Sequence, residues 1–105
     1  MFDVHSDIKD ITDKIDRIVC EHAKCTIEDI KGLSKKNKLP LYRNVLFLFL
    51  KDYIGVSYGK LSLLYNRTPR NIKRKVANAR VLVKYDFEYR HFFLCVCDKY
   101  EKEGA

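Results

Sequence analysis

The stretch from Ser57 to Val76 constrains this chain more than any other. It reads Ser-Tyr-Gly-Lys-Leu-Ser-Leu-Leu-Tyr-Asn-Arg-Thr-Pro-Arg-Asn-Ile-Lys-Arg-Lys-Val. Two helix starts are written into it. Ser57 is a good N-cap, because its short side chain can accept from an amide one turn on. Thr68-Pro69 joins a cap to the residue best suited to the first helical position. Asn66 between them suits a turn. The pattern predicts a helix over about 58–65, a turn, and a second helix over about 69–84. Leu61, Leu64 and Tyr65 form the inner side of the first. Ile72, Val76, Ala79 and Val83, at steps of four and three, form the inner stripe of the second.

Helical spacing runs through the rest of the chain. Four Gly and two Pro in 105 residues leave little turn material for a sheet. Ile8, Ile11, Ile15, Ile18 and Val19 predict an amphipathic helix over about 7–24, with Ser6 or Asp7 at its start. Thr26 and Asp29 resemble a capping box and predict a short helix over about 27–33. Ser34 to Lys38 is polar and basic and reads as a loop. Pro40 suits the first turn of a helix over about 40–54, and Gly55 suits its left-handed end. Val45 to Leu50 is apolar all round, which places it at the centre of a core, with Arg43 and Lys51 marking the one solvent-facing edge. A break near Tyr85-Asp86 precedes a last helix over about 86–101. Phe87, His91, Leu94, Cys95 and Asp98 share one of its stripes, with Phe93, Val96, Cys97 and Tyr100 beside it. The expected fold is all-α: one domain, residues 1–105, a compact bundle of about six helices with a helix-turn-helix over about 57–84.

Charge is distributed unevenly. Residues 31–85 hold fourteen Lys or Arg against one acid, Asp52, whereas both flanking segments are net acidic. A basic block of this size calls for a polyanionic partner. A membrane is the weaker choice, since no apolar run approaches the roughly 20 residues a spanning helix needs. The first residues lack the basic start and apolar run of a signal peptide, so a cytoplasmic, nucleoid-associated location is expected. A helix pair within a basic block points to double-stranded DNA. On the outer face of the second helix, Arg70 and Arg74 suit guanine and Asn71 and Asn78 suit adenine, while Ala77 permits close approach. Lys73, Arg80 and Lys84 lie towards the flanks, where phosphates would be. Ser57 at a helix start, with Tyr58 and Lys60 beside it, favours phosphate. Arg43, Lys51 and Arg67 are further candidates for the backbone, and Lys35, Lys36 and Lys38 form a basic loop able to reach a minor groove.

Other chemistry is not expected. Cys20, Cys25, Cys95 and Cys97 read as reduced packing residues. A metal site from Cys20, His22, Cys25 and the Cys95/Cys97 pair lacks the two-residue spacing of a zinc knuckle, so no metal or cofactor is assigned. His5, His22 and His91 form no constellation with an acid, and no phosphate-binding Gly-rich loop of the nucleotide-hydrolase type is present, so no enzymatic role is assigned.

From Ile15 to Tyr100 the chain resembles the C-terminal DNA-binding domain of the bacterial replication initiator DnaA. The resemblance rests on Ile18-Val19-Cys20-Glu21, Thr26-Ile27-Glu28-Asp29-Ile30, the Lys35-Lys36 loop, Arg43, Lys51-Asp52-Tyr53, and the spacing of Ser57, Leu61 and Tyr65. It implies a Trp-repressor-like helix-turn-helix with its second helix in the major groove. It further implies a minor-groove role for Lys35 or Lys36, and backbone roles for Arg43, Lys51 and the Ser57-Tyr58 helix start. The family's signature Gly-Gly-Arg-Asp-His-Thr-Thr-Val is replaced here by Asn66-Arg67-Thr68-Pro69-Arg70-Asn71-Ile72, in which only Arg67 and Ile72 fit. The base-reading set is therefore its own. The expected function is duplex DNA binding by a small regulator or accessory replication factor of a plasmid, phage or chromosome. The alternative is a protein-interaction module, a homodimer or a replication-protein adaptor, that keeps the fold without reading DNA; its dimer face would come from Tyr85, Phe87, Tyr89, Phe92, Phe93 and Tyr100.

Overall fold

The structure, a computed structural model, describes residues 4–31 and 39–104, and the side chains of 9–30 and 39–102. Ile8, Leu33 and the basic loop with Lys35, Lys36 and Lys38 lie outside the described side chains. Among the described residues the chain forms six α-helices and no strand: α1 (Val4–Ala23), α2 (Ile27–Lys31), α3 (Leu39–Leu48), α4 (Tyr58–Tyr65), α5 (Pro69–Tyr85) and α6 (Phe87–Gly104). The all-α bundle is therefore the observed fold.

The helix boundaries follow local chemistry. Thr26 and Asp29 close a reciprocal capping box. The Thr26 amide donates to Asp29 Oδ2 at 3.2 Å, and the Asp29 amide donates to Thr26 Oγ1 at 3.1 Å. Ser57 accepts from the Lys60 amide and Thr68 from the Asn71 amide, at 3.2 and 3.1 Å. Asn66 holds φ 53° and Gly55 φ 92°, the left-handed turns that end α4 and the segment before it. At the α5–α6 joint Asp86 caps α6 through Oδ1, and Arg90 reaches back to the carbonyls of Val83 and Lys84 at the end of α5.

α3 runs through the middle of the bundle, packed against α1, α2, α5 and α6. Every residue from Val45 to Leu50 is at most 4 % exposed, as an all-round apolar segment requires. Each fully buried side chain of this size contributes about 1.5–3 kcal/mol of burial. The chain beyond Leu48 is not α-helical. Phe49–Ile54 is a π-helical turn, closed by the Gly55 amide on the Leu50 carbonyl at 3.0 Å. Phe49 stacks on Tyr53 there, 4.8 Å between centroids. From α5 the core takes Ile72, Val76 and Ala79, all 0 % exposed, while Val83 packs at the edge. From α6 it takes Tyr89, Phe92 and Val96. The Phe87 stripe therefore faces outward, and of the six aromatic residues named for a dimer face only Tyr85 and Phe87 are exposed.

Arg43 corrects the sequence reading. It is 3 % exposed rather than at a solvent edge. Its Nε donates to the Ile30 carbonyl at 2.8 Å and its Nη2 to the Asp29 carbonyl at 2.7 Å. The last turn of α2 leaves carbonyls without helical donors, and a guanidinium fork supplies two. A second buried polar contact ties α4 to α1: the Tyr65 hydroxyl donates to Asp16 Oδ1 at 2.7 Å. Burial and the Asp16 charge push the Tyr65 hydroxyl well above its ordinary value, so it remains a donor at any physiological pH.

Candidate nucleic-acid interface

α5 places its cations by periodicity. With Ile72, Val76 and Ala79 fixed inward, Arg70, Arg74, Ala77 and Val81 must face out, and all four are exposed. Lys73 and Asn78 are exposed beside them. No ion-pair partner for Arg70, Lys73 or Arg74 is found among the described residues. Thr68, Arg70, Asn71 and Arg74 line an open cleft of about 270 Å³ at the start of α5. Asn71 is half-buried and its Oδ1 is enclosed without a hydrogen-bond partner. With its Oδ1 enclosed, it does not present the donor–acceptor pair that adenine needs.

Behind this face lies a second group of cations. Arg67 is half-buried, its Nη1 donating to the Tyr65 carbonyl at 3.0 Å and its guanidinium lying 5.4 Å from the Phe47 ring centroid. Lys75 is half-buried as well. Burial lowers the Lys75 ammonium from its usual range, and Arg67, Arg43 and Arg74 lower it further. Burial, then the Arg67 charge, likewise lowers Arg43. Like charges crowded this way are relieved by a polyanion. Lys75 was not among the candidates read from sequence. Its signal was its place beside Val76 on the inward half of the wheel, where a cation must sit close to the core.

The start of α4 adjoins this surface through the α4–α5 packing. Ser57 and Gly59 are exposed, Tyr58 and Lys60 half-buried. Lys51, expected to point freely outward, instead lies with its Nζ 4.7 Å above the Tyr58 ring. A Cβ built at Gly59 would meet nothing within 4 Å, so the backbone there is open to close approach. Arg80, expected on a phosphate flank, is taken up by Asp52: Nη2 to Oδ1 at 2.7 Å and Nε to Oδ2 at 3.0 Å. The fork holds the Asp52 carboxyl below its usual range and raises the guanidinium. The one acid of the basic block is thus neutralised. Arg43 is withdrawn from the surface. Lys35 and Lys36 lie outside the described residues.

The other chemical groups do not converge on this face. Among the described residues no three His, Cys, Asp or Glu side chains gather round a metal-sized point. Cys20 is buried, and burial pushes its thiol up to about 12. His22 turns from the cysteines to pack on Phe92, 4.7 Å between ring centroids. No helix among the described residues is long and apolar enough to cross a membrane. No protein-family model matches the chain, and neither the curated proteins nor the solved structures yield a match.

Proposed function

We propose that this protein binds double-stranded DNA, with α4, the turn at Asn66–Thr68 and α5 acting as a helix-turn-helix. One observation carries the reading: Arg70, Lys73 and Arg74 stand exposed at the start of α5 without an acidic partner among the described residues. A free fork at the leading end of a helix is what guanine readout in the major groove uses. Arg70 and Arg74 take base edges, Ala77 and Asn78 continue that face, and Asn71 supplies an amide donor. Lys73, Arg67, Lys51 and Lys60 hold phosphates, and so do the amides at Ser57–Tyr58. Lys35 and Lys36 take the adjacent minor groove. On this reading the protein is a small regulator or accessory replication factor, built like the DNA-binding domain of DnaA but reading a different site.

The test is fluorescence-anisotropy titration of random duplex at about 50 and 200 mM salt. Four to six phosphate contacts separate the two by roughly 10²–10³-fold. Absence of binding at low salt overturns the reading. A second reading, a protein-interaction module, is favoured by Leu63 and Tyr85, 82 % and 74 % exposed on the outer sides of α4 and α5. It requires a stable complex indifferent to DNA.

A further inference from the structure

We propose that His91 and Cys95 are half of a zinc site, completed by the same two residues of a second copy of this chain. The pair sits one helical turn apart on the outward side of α6, with Cys95 Sγ 3.4 Å from His91 Nε2. Zinc bonds of about 2.3 Å to sulfur and about 2.05 Å to nitrogen, meeting near the tetrahedral angle, hold those two atoms about 3.5 Å apart. The two side chains thus already stand at the bite of a tetrahedral N,S chelate. The Phe87 ring lies nearly parallel to the His91 ring, 6.3 Å between centroids and 13° between planes.

The chain alone does not complete the site. Asp98, the next acid along the stripe, is held by Lys102 at 3.0 Å. No group of three ligands exists among the described residues. A closed structural zinc takes four, and a Cys₂His₂ set is one of its usual forms. A two-fold axis passing outside α6 at the level of residue 93 and perpendicular to it makes the two helices antiparallel and sets His91 against the partner copy's cysteine and Cys95 against its histidine. This is an isologous contact, in which one patch supplies both sides. The surroundings suit a second copy. Phe87 and Leu94, on the same stripe, are 78 % and 58 % exposed, and pairing removes both from water.

The chemistry balances simply. Each Cys95 thiol gives its proton to solvent as sulfur binds, and each His91 binds through Nε2 with its proton on Nδ1. Two thiolates offset the charge of the ion. The site shares no residue with the basic face of α5, so its test is separate from that of DNA binding.

The experiment uses the full chain, kept reduced by a phosphine, with mass measured by sedimentation as zinc chloride is added. The mass doubles with uptake of one zinc per two chains, and cobalt in place of zinc shows a thiolate-to-metal charge-transfer band. Cys95→Ser and His91→Gln each abolish the doubling while helical circular dichroism is unchanged, and Cys25→Ser retains it. An unchanged mass at saturating zinc overturns the proposal. So does zinc held by the monomer, or doubling that survives Cys95→Ser or is lost in Cys25→Ser.

Discussion

Arg43 Nε donates a 2.8 Å hydrogen bond to the carbonyl of Ile30, and so the guanidinium that α3 contributes is a cap for α2 rather than a contact for a ligand. One buried and one part-buried bond to a charged donor depend on it. Arg43→Ala should destabilise the fold by about 2–4 kcal/mol, because carbonyls at the end of α2 lose their donors inside the protein. Its folded fraction should bind duplex with the parent's salt dependence. Thermal denaturation and anisotropy on the same sample separate the two effects, and a flattened salt slope in this variant would restore Arg43 to the interface.

The fold was legible where a boundary depends on residues next to one another. Thr26 with Asp29, Ser57, Asn66, Gly55 and Thr68-Pro69 each act within about one helical turn, so their chemistry is visible in the order of residues. The inward stripe of α5 was legible for the same reason, and with it the outward placement of Arg70 and Arg74. What depends on distant partners was not. Asp52 lies 28 positions before the Arg80 it binds, and Arg43 lies 13 after the Ile30 carbonyl. Charge alone then suggests a surface role for both arginines. The π-helical turn at Phe49–Ile54 starts on the buried Phe49 and Leu50 and runs out to the exposed Asp52 and Tyr53, and no local signal encodes it. α6 is aromatic on both sides, so only its packing on α1, α3 and α5 decides that Phe92 goes in and Phe87 out.

His22 gives the fold a pH dependence with a defined sign. Its ring packs on Phe92 and edge-on to Tyr42, 4.7 and 6.2 Å between centroids. Burial lowers it from its usual value; the nearby Lys99 and His91 charges act the same way, and Glu88 opposes them. The unfolded chain therefore takes up the proton first as pH falls, and stability is lost below the ordinary histidine value of about 6.5. Above that pH the contribution is fully present. Melting temperature should fall between pH 7.5 and 5.5, and fall less in His22→Gln. An equal fall in both would place the effect on other groups.

Arg70 and Arg74 should differ from Lys51 in kind as well as amount. Each arginine reads a base edge on the proposed pose, so its replacement by Ala costs about 1–3 kcal/mol on the preferred site and relaxes discrimination there. Lys51, above the Tyr58 ring, touches only phosphate, so Lys51→Ala weakens every duplex alike and lowers the salt slope by about one. Selection of preferred sites followed by titration at two salt concentrations distinguishes the pairs. Three variants that bind as the parent does would move the interface off α5.

Gly59 separates the needs of folding from those of binding. It sits in the first turn of α4, its φ is not positive, and an added Cβ meets nothing within 4 Å. Gly59→Ala should therefore stabilise the protein by about 0.5–1 kcal/mol, since alanine loses less backbone freedom in a helix. The same methyl adds bulk to the helix start that the proposed phosphate approaches. Affinity for duplex should fall about three- to tenfold, on the order of one ordinary hydrogen bond. Stabilisation and weakened binding in one variant cannot both come from damage to the fold. If melting rises and affinity stays put, the start of α4 lies away from DNA, and the contacts assigned to Ser57, Tyr58 and Lys60 fall together.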